Sequence, residues 1–318
     1  MSCSGQNTEE GFKEQKLLDA LLGREPACSL VYKRAGGQEL RLYYEKPAHW
    51  SPNGNYTALV WIHGGGWKSD SASRFFPHCL YYAQKGLVTF SVDYRLAGSE
   101  DGGRLTSVEE CLEDVKDAMG YIRSHAREFA IHPDRILAGG DSAGGHLAAC
   151  LGLSEAGGDA NVAVPYTANG LIICNGVTDL TGKWKKQVLA FDYPGTLPAS
   201  IYPQEGEPVY ELNEHEPQAR SFFMADARAR ALSPVYQVER GHPPVFILHG
   251  LLDTVVEPED GIHYYRALKT QGADVELCLI PDVSHAFILF NYKVDNRRIL
   301  SFLRVIDGFL KKRGFLPD

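Results

Sequence analysis

The chain has 318 residues, enough for one large α/β domain around a substantial core. Hydrophobic residues make up 44% and charged residues 23%, as in an ordinary globular protein. A net charge of −8 leaves no broad face that could neutralise phosphates, so a nucleic-acid partner is not expected. The strongest basic cluster, Lys183, Lys185 and Lys186, is short and reads as solvated surface. The seven cysteines (Cys3, Cys28, Cys79, Cys111, Cys150, Cys174 and Cys278) never form a CxxC pair. Scattered and odd in number, they fit buried free thiols in a reducing compartment better than a disulfide framework or a zinc site.

The first 14 residues are polar, with no apolar core of the kind a signal peptide needs, and residues up to about 27 read as an N-terminal extension. No apolar run is long enough to span a bilayer, so a cytoplasmic protein without membrane insertion is expected. Segments 29–33 and 39–44 flank Gly36-Gly37 and predict an antiparallel hairpin at a sheet edge. From Thr57 onward short apolar strands alternate with amphipathic helical segments, the pattern of a mostly parallel sheet with helices on both faces. Strands are expected over 58–62, 87–92, 135–138, 171–174, 245–248 and 275–280, several of them continuous apolar runs suited to burial on both sides.

Directly after the strand at 58–62 comes His63-Gly64-Gly65-Gly66-Trp67. Glycines leave their backbone N–H groups uncovered, which suits a site that must bind a developing oxyanion. The stretch lacks the spacing and the Lys of a phosphate-binding loop. His63 itself reads as a residue that orients the loop. A helix is predicted over 108–129, with Val108, Cys111, Leu112, Val115, Ala118, Met119 and Ile122 on one face and Ser107 with Glu110 as a capping box.

The sharpest signal follows the strand at 135–138: Gly140-Asp141-Ser142-Ala143-Gly144, then Gly145 and His146, leading into a helical run at 147–153. Strand, tight turn and helix in that order make this a nucleophile elbow, with Ser142 on a strained turn and small neighbours allowing close approach. The Ala143 amide would add an oxyanion donor. Asp141 is expected to point away from the reacting side and brace the loop, and His146 to pack or cap.

The stretch 181–231 breaks the strand–helix rhythm and reads as a cap-like insertion. Its rings Trp184, Phe191, Tyr193, Tyr202, Tyr210, Phe222 and Phe223 could line a substrate pocket or form a small core of their own, with core favoured for any one of them. After the strand at 245–248, His249-Gly250-Leu251-Leu252-Asp253 puts Asp253 just past a strand end. A helix is expected over 261–268. After the strand at 275–280, Pro281-Asp282-Val283-Ser284-His285 does the same for His285. Open α/β sheets build their sites at such carboxyl ends, so Ser142, Asp253 and His285 can converge there. His285 would take the Ser142 proton while Asp253 holds the imidazole tautomer. A closing helix is expected over 298–310.

HGGGW, GDSAGGHLA, HG with Asp two residues beyond the next leucine pair's start, and SHAF occur in that order over roughly 57–310. Together they resemble the hormone-sensitive-lipase-like and acetylesterase-like branches of the α/β-hydrolases. The resemblance implies the α/β-hydrolase fold in a single domain over 1–318. It also implies a triad of Ser142, Asp253 and His285, with Gly64, Gly65 and Ala143 as oxyanion donors; which two of the three loop glycines point inward stays open. It further implies that His249, like Asp93-Tyr94-Arg95-Leu96, is structural. No HExxH or comparable metal spacing occurs, and neither cofactor nor metal is expected. The expected activity is hydrolysis of short-acyl or aryl-acyl esters, including acetylated or feruloylated carbohydrate, through an acyl-enzyme on Ser142. The alternative is an amidase resembling kynurenine formamidase, which shares HGGxW; a catalytically silent, ligand-binding hydrolase fold is disfavoured by the intact triad.

Overall fold

The computed structural model describes residues 4–101, 104–153, 165–181 and 227–317. The basic cluster at 183–186 and the seven insertion rings lie outside the described residues. Strands β1 (Cys28–Ala35) and β2 (Gln38–Glu45) pair antiparallel around Gly36 and Gly37, whose φ values of 58° and 69° suit a turn that twists with its strands. They are followed by β3 (Tyr56–Ile62), β4 (Val88–Val92), a two-residue ribbon β5 (Glu100–Asp101) with β6 (Arg104–Leu105), and β7 (Ile131–Asp141). Strands β8 (Gly170–Cys174), β9 (Val245–Gly250) and β10 (Val275–Ile280) complete the set. The eight-stranded sheet runs β1-β2-β4-β3-β7-β8-β9-β10, parallel from β4 to β10 and antiparallel at the β1 edge. This is the mostly parallel α/β-hydrolase sheet anticipated above.

The continuous apolar runs arise because both faces are covered. Along β3, Ala58, Val60 and Ile62 enter one core while Leu59 and Trp61 enter the other, and β9 divides Val245 and Ile247 from Phe246 and Leu248 in the same way. Helices α3 (Val108–Ser124), α5 (Ser142–Cys150) and α6 (Pro258–Thr270) cover the first face. Helices α1 (Ser4–Leu21), α2 (Phe76–Gln84) and α7 (Asn296–Lys312) cover the second. Each Leu, Ile or Val sealed there contributes about 1.5–3 kcal/mol relative to exposure. Among the described residues all six cysteines are free, and no helix is long and apolar enough to cross a membrane.

Three local expectations are corrected. The helix expected over 108–129 starts on its capping box, with Ser107 Oγ accepting from Glu110 N and Glu110 Oε2 from Ser107 N, but it breaks at His125. There the imidazole stacks on Tyr121 at 4.0 Å and a short α4 (Ala126–Phe129) follows. Strand β7 begins at Ile131, earlier than 135, and loses register with β3 around Pro133, which has no N–H to give the ladder. The elbow helix begins on Ser142 itself rather than at 147.

Candidate active site

The five adjacent strands β3, β7, β8, β9 and β10 all end on one side of the sheet, and their carboxyl ends carry every predicted site residue. At the end of β7, Ser142 has φ 52°, the left-handed region that costs a side-chain-bearing residue strain. The chain holds it there because its neighbours leave no alternative. A Cβ on Gly140 would lie 2.4 Å from the Gly144 carbonyl oxygen, and one on Gly144 would lie 2.1 Å from that of Ile62. Both clashes are against backbone, so only glycine permits the strand, turn and helix to close.

Asp253 and His285 come from neighbouring loops that are fastened together. Leu251 N donates to Ile280 O at 2.8 Å and Leu252 N to Val283 O at 3.1 Å. Gly250 allows this approach, since a Cβ there would stand 2.3 Å from Val283 O. The result is a continuous relay in which His285 Nε2 lies 2.9 Å from Ser142 Oγ and His285 Nδ1 lies 2.7 Å from Asp253 Oδ2. The other carboxylate oxygen of Asp253 accepts the amides of Val255 and Val256, each at 2.9 Å. Burial alone would raise the Asp253 pKa, but the His285 contact and the two amides outweigh it and hold the carboxyl below its usual range. Asp253 is therefore an anion whose position is fixed from two sides. Two other carboxylates near these strand ends stand apart from the relay: Asp282 is exposed and paired with Arg298, and Glu257 is exposed at the head of α6.

The glycine loop after β3 is held with equal care. Tyr94 Oη donates to His63 O at 2.8 Å, and the His63 ring stacks on Tyr94 at 4.3 Å. His63 Nδ1 donates to Gly64 O at 2.9 Å, and burial lowers the imidazole pKa to about 4, so the ring is neutral and orients the loop as expected. Trp67 is fully buried at φ 64°, its Nε1–H donating to His146 Nδ1 at 3.1 Å and its carbonyl accepting from Ala97 N at 2.8 Å. Ala97 follows Arg95, which clasps both oxygens of buried Asp114 and reaches Glu110 as well, fastening the Asp93–Leu96 stretch to α3. The structural role implied for that stretch thus has a definite form.

Gly64 departs from expectation. Its N–H donates to Asp141 Oδ1 at 3.0 Å, so this amide is committed and does not face an open position. Gly65 and Gly66, at φ 96° and 60°, have N–H groups with no hydrogen-bond partner among the described residues. The uncommitted amides of this loop are therefore those of Gly65 and Gly66, and Ala143 stands in the first turn of α5, directly after Ser142. Gly65 is irreplaceable on steric grounds as well, since a Cβ would lie 2.2 Å from Ser69 O.

His146 and His249 are structural. His146, lowered to about pKa 4 by burial, accepts from Trp67 and donates through Nε2 to Leu232 O at 2.7 Å. His249 donates through Nε2 to Val256 O at 2.9 Å, shaping the loop that carries Asp253. One neighbour of the relay escaped the sequence reading. Asn175 at the end of β8 is fully buried at φ 39°, with its amide nitrogen 3.4 Å from His285 Nδ1. Its only sequence signal is an Asn-Gly pair directly after an apolar strand.

The family model BD-FAE matches residues 45–268. An AB hydrolase superfamily protein of Schizosaccharomyces pombe is 28% identical over 274 residues, covering 85% of this chain and 74% of its own. Ethyl acetate hydrolase of Pseudomonas putida is 27% identical, covering 87% of this chain and 81% of its own. The propionate-bound structure of a thermophilic esterase from Thermogutta terrifontis superposes with a TM-score of 0.73 at 30% identity, covering 92% of this chain and 96% of that one. The chain belongs to the BD-FAE family of α/β-hydrolases, among the serine-dependent carboxylic ester hydrolases.

Proposed function

We propose that the chain hydrolyses short-acyl or aryl-acyl esters through an acyl-enzyme on Ser142, with Asp253 and His285 completing the triad. The observation that carries this reading is the relay from Ser142 Oγ through both ring nitrogens of His285 to Asp253 Oδ2, at 2.9 and 2.7 Å. Neutral His285 takes the Ser142 proton on Nε2 as Oγ bonds to the ester carbonyl carbon. The carbonyl π electrons move onto oxygen, and the amides of Gly65, Gly66 and Ala143 bind the resulting oxyanion. When the intermediate collapses, the C–O bond to the alcohol breaks and His285 hands its proton to the leaving oxygen. Water then repeats the sequence: it gives a proton to His285 as it attacks the acyl carbon, and the proton returns to Ser142 as the acid leaves.

A small acyl group is supported by the relatives, one named for ethyl acetate and another seen with propionate. The stretch 181–231 follows β8, whose carboxyl end lies at the site, and we assign it the choice of acyl and alcohol group. The single-domain organisation, with an N-terminal extension through about residue 27, belongs to the same proposal. A hydrolysis panel tests the reading, using p-nitrophenyl acyl esters, acetylated xylose, methyl ferulate and N-formylkynurenine. The expected result is the highest kcat/KM on an ester. N-formylkynurenine ahead of every ester would replace the esterase reading with an amidase.

A further inference from the structure

Asp141 stands next to the nucleophile yet takes no part in the proton relay. It is 2% exposed, and its Oδ1 accepts the N–H of Gly64, 77 residues away in sequence. The packing leaves no slack. A Cβ on Gly64 would lie 2.9 Å from Asp141 O and 3.0 and 3.1 Å from the two carboxylate oxygens. Burial pushes this carboxyl up to about pKa 6, a cost that the fold carries for a side chain outside the triad.

The peptide between His63 and Gly64 is consequently held on both edges, its carbonyl by Tyr94 Oη at 2.8 Å and its amide by Asp141 at 3.0 Å. The next peptide inherits that orientation. Its carbonyl, Gly64 O, is turned toward His63 Nδ1 at 2.9 Å and Tyr94 Oη at 3.2 Å. A trans peptide points its N–H opposite to its C=O, so the Gly65 N–H is directed away from His63 and Tyr94. Asp141 ends β7, directly before Ser142, and so connects the nucleophile's own strand to the glycine loop after β3.

We propose that Asp141 is a positioning residue: by accepting the Gly64 N–H it fixes the loop that presents the Gly65 and Gly66 amides relative to Ser142. This rests on the ester-hydrolase reading and adds to it a second carboxylate with a separate task. The task needs a hydrogen-bond acceptor and not a charge, which makes it separable by substitution. Asp141→Asn keeps an acceptor oxygen, and Asp141→Ala removes it.

The test compares wild type, Asp141→Asn, Asp141→Ala and Ser142→Ala for steady-state hydrolysis of p-nitrophenyl acetate and for the rate of labelling by a fluorophosphonate. Circular dichroism checks that each variant is folded. The expected outcome is that Asp141→Ala loses about 10- to 100-fold in kcat with KM within about threefold, because a loop misplaced by a fraction of an ångström weakens transition-state binding and leaves substrate binding largely intact. Asp141→Asn should restore kcat to within about threefold of wild type. Labelling of Ser142 should slow in Asp141→Ala by the same order as kcat. Wild-type turnover by Asp141→Ala would overturn the proposal, as would an Asp141→Asn variant as slow as Asp141→Ala. If Asp141→Ala does not fold, Asp141→Asn decides alone: a folded variant losing more than about tenfold in kcat overturns it. Absence of ester turnover and labelling in wild type would instead remove the esterase reading itself.

Discussion

Replacing Asp253 by Asn changes a single atom of the relay and leaves its shape intact, so its effect can be worked out bond by bond. One carboxylate oxygen accepts two backbone amides, from Val255 and Val256, and the other faces His285 Nδ1 at 2.7 Å. The carboxamide has one acceptor oxygen, and the two N–H donors claim it, since the reverse orientation would aim an NH2 group at both of them. The NH2 group therefore faces Nδ1. A donor at that position makes Nδ1 the acceptor and places the ring proton on Nε2, pointing at Ser142 Oγ. His285 then has no lone pair with which to take the serine proton. Loss of the correct tautomer in a triad costs about 10⁴-fold in kcat, equivalent to about 5 kcal/mol of transition-state stabilisation. Initial rates on p-nitrophenyl acetate measure it, with Glu257→Gln and Asp282→Asn as controls expected to stay within about tenfold of wild type, both being exposed and outside the relay. An Asp253→Asn variant retaining more than about a tenth of wild-type kcat, or a larger loss in either control, would refute the assignment of the acid.

Gly144→Ala is expected to abolish soluble, active protein, because its Cβ would lie 2.1 Å from the Ile62 carbonyl oxygen and no flexible side chain can yield there; a folded, active variant would show that the elbow is less confined than it looks. Asp114→Ala is expected to lower unfolding stability by about 3–5 kcal/mol by leaving the buried Arg95 guanidinium without its bidentate partner, measured by urea titration. Asp141 links stability to pH. Burial raises its folded pKa from 3.8 to about 6, with His285 and the Gly64 amide pulling downward and Asp70 and Arg74 acting weakly in opposite directions. The unfolded chain thus gives up this proton near pH 4 while the folded chain keeps it to about pH 6. The stability present below pH 4 is lost as pH rises through 6, roughly 3 kcal/mol in all. Asp141→Asn cannot titrate, so its urea-unfolding free energy is expected to gain on wild type by about that amount between pH 4 and pH 7; a constant difference would contradict the cause assigned.

Much of the site was legible because its chemistry is written in short local motifs. GDSAG and HGGGW announce turns that only glycine can make, and the collisions a Cβ would meet at Gly140, Gly144 and Gly65 show the physical reason. Asp253 is legible as the acid because it lies just past a strand end, and a strand end fixes position more firmly than a loop does. What escaped depends on contacts between segments far apart in the chain. That the Gly64 amide is occupied follows from a side chain 77 residues away, and nothing in HGGGW discloses it. Asn175 reaches His285 from β8 only because β8 lies between β7 and β9 in the sheet. Helix α1 shows little apolar periodicity, and its place is set by Leu18 and Leu21 entering the core under α2 and α7. The break at His125 has no Gly or Pro to mark it.

The central claim is that Ser142 becomes covalently acylated during turnover. Rapid acid quenching of the enzyme with p-nitrophenyl butyrate, followed by digestion and mass mapping, measures this directly. The expected result is a butyryl group on the peptide bearing Ser142, formed during a p-nitrophenol burst approaching one equivalent per chain and absent from Ser142→Ala. An adduct on another residue, or a Ser142→Ala variant keeping more than about a hundredth of wild-type kcat, would contradict the account.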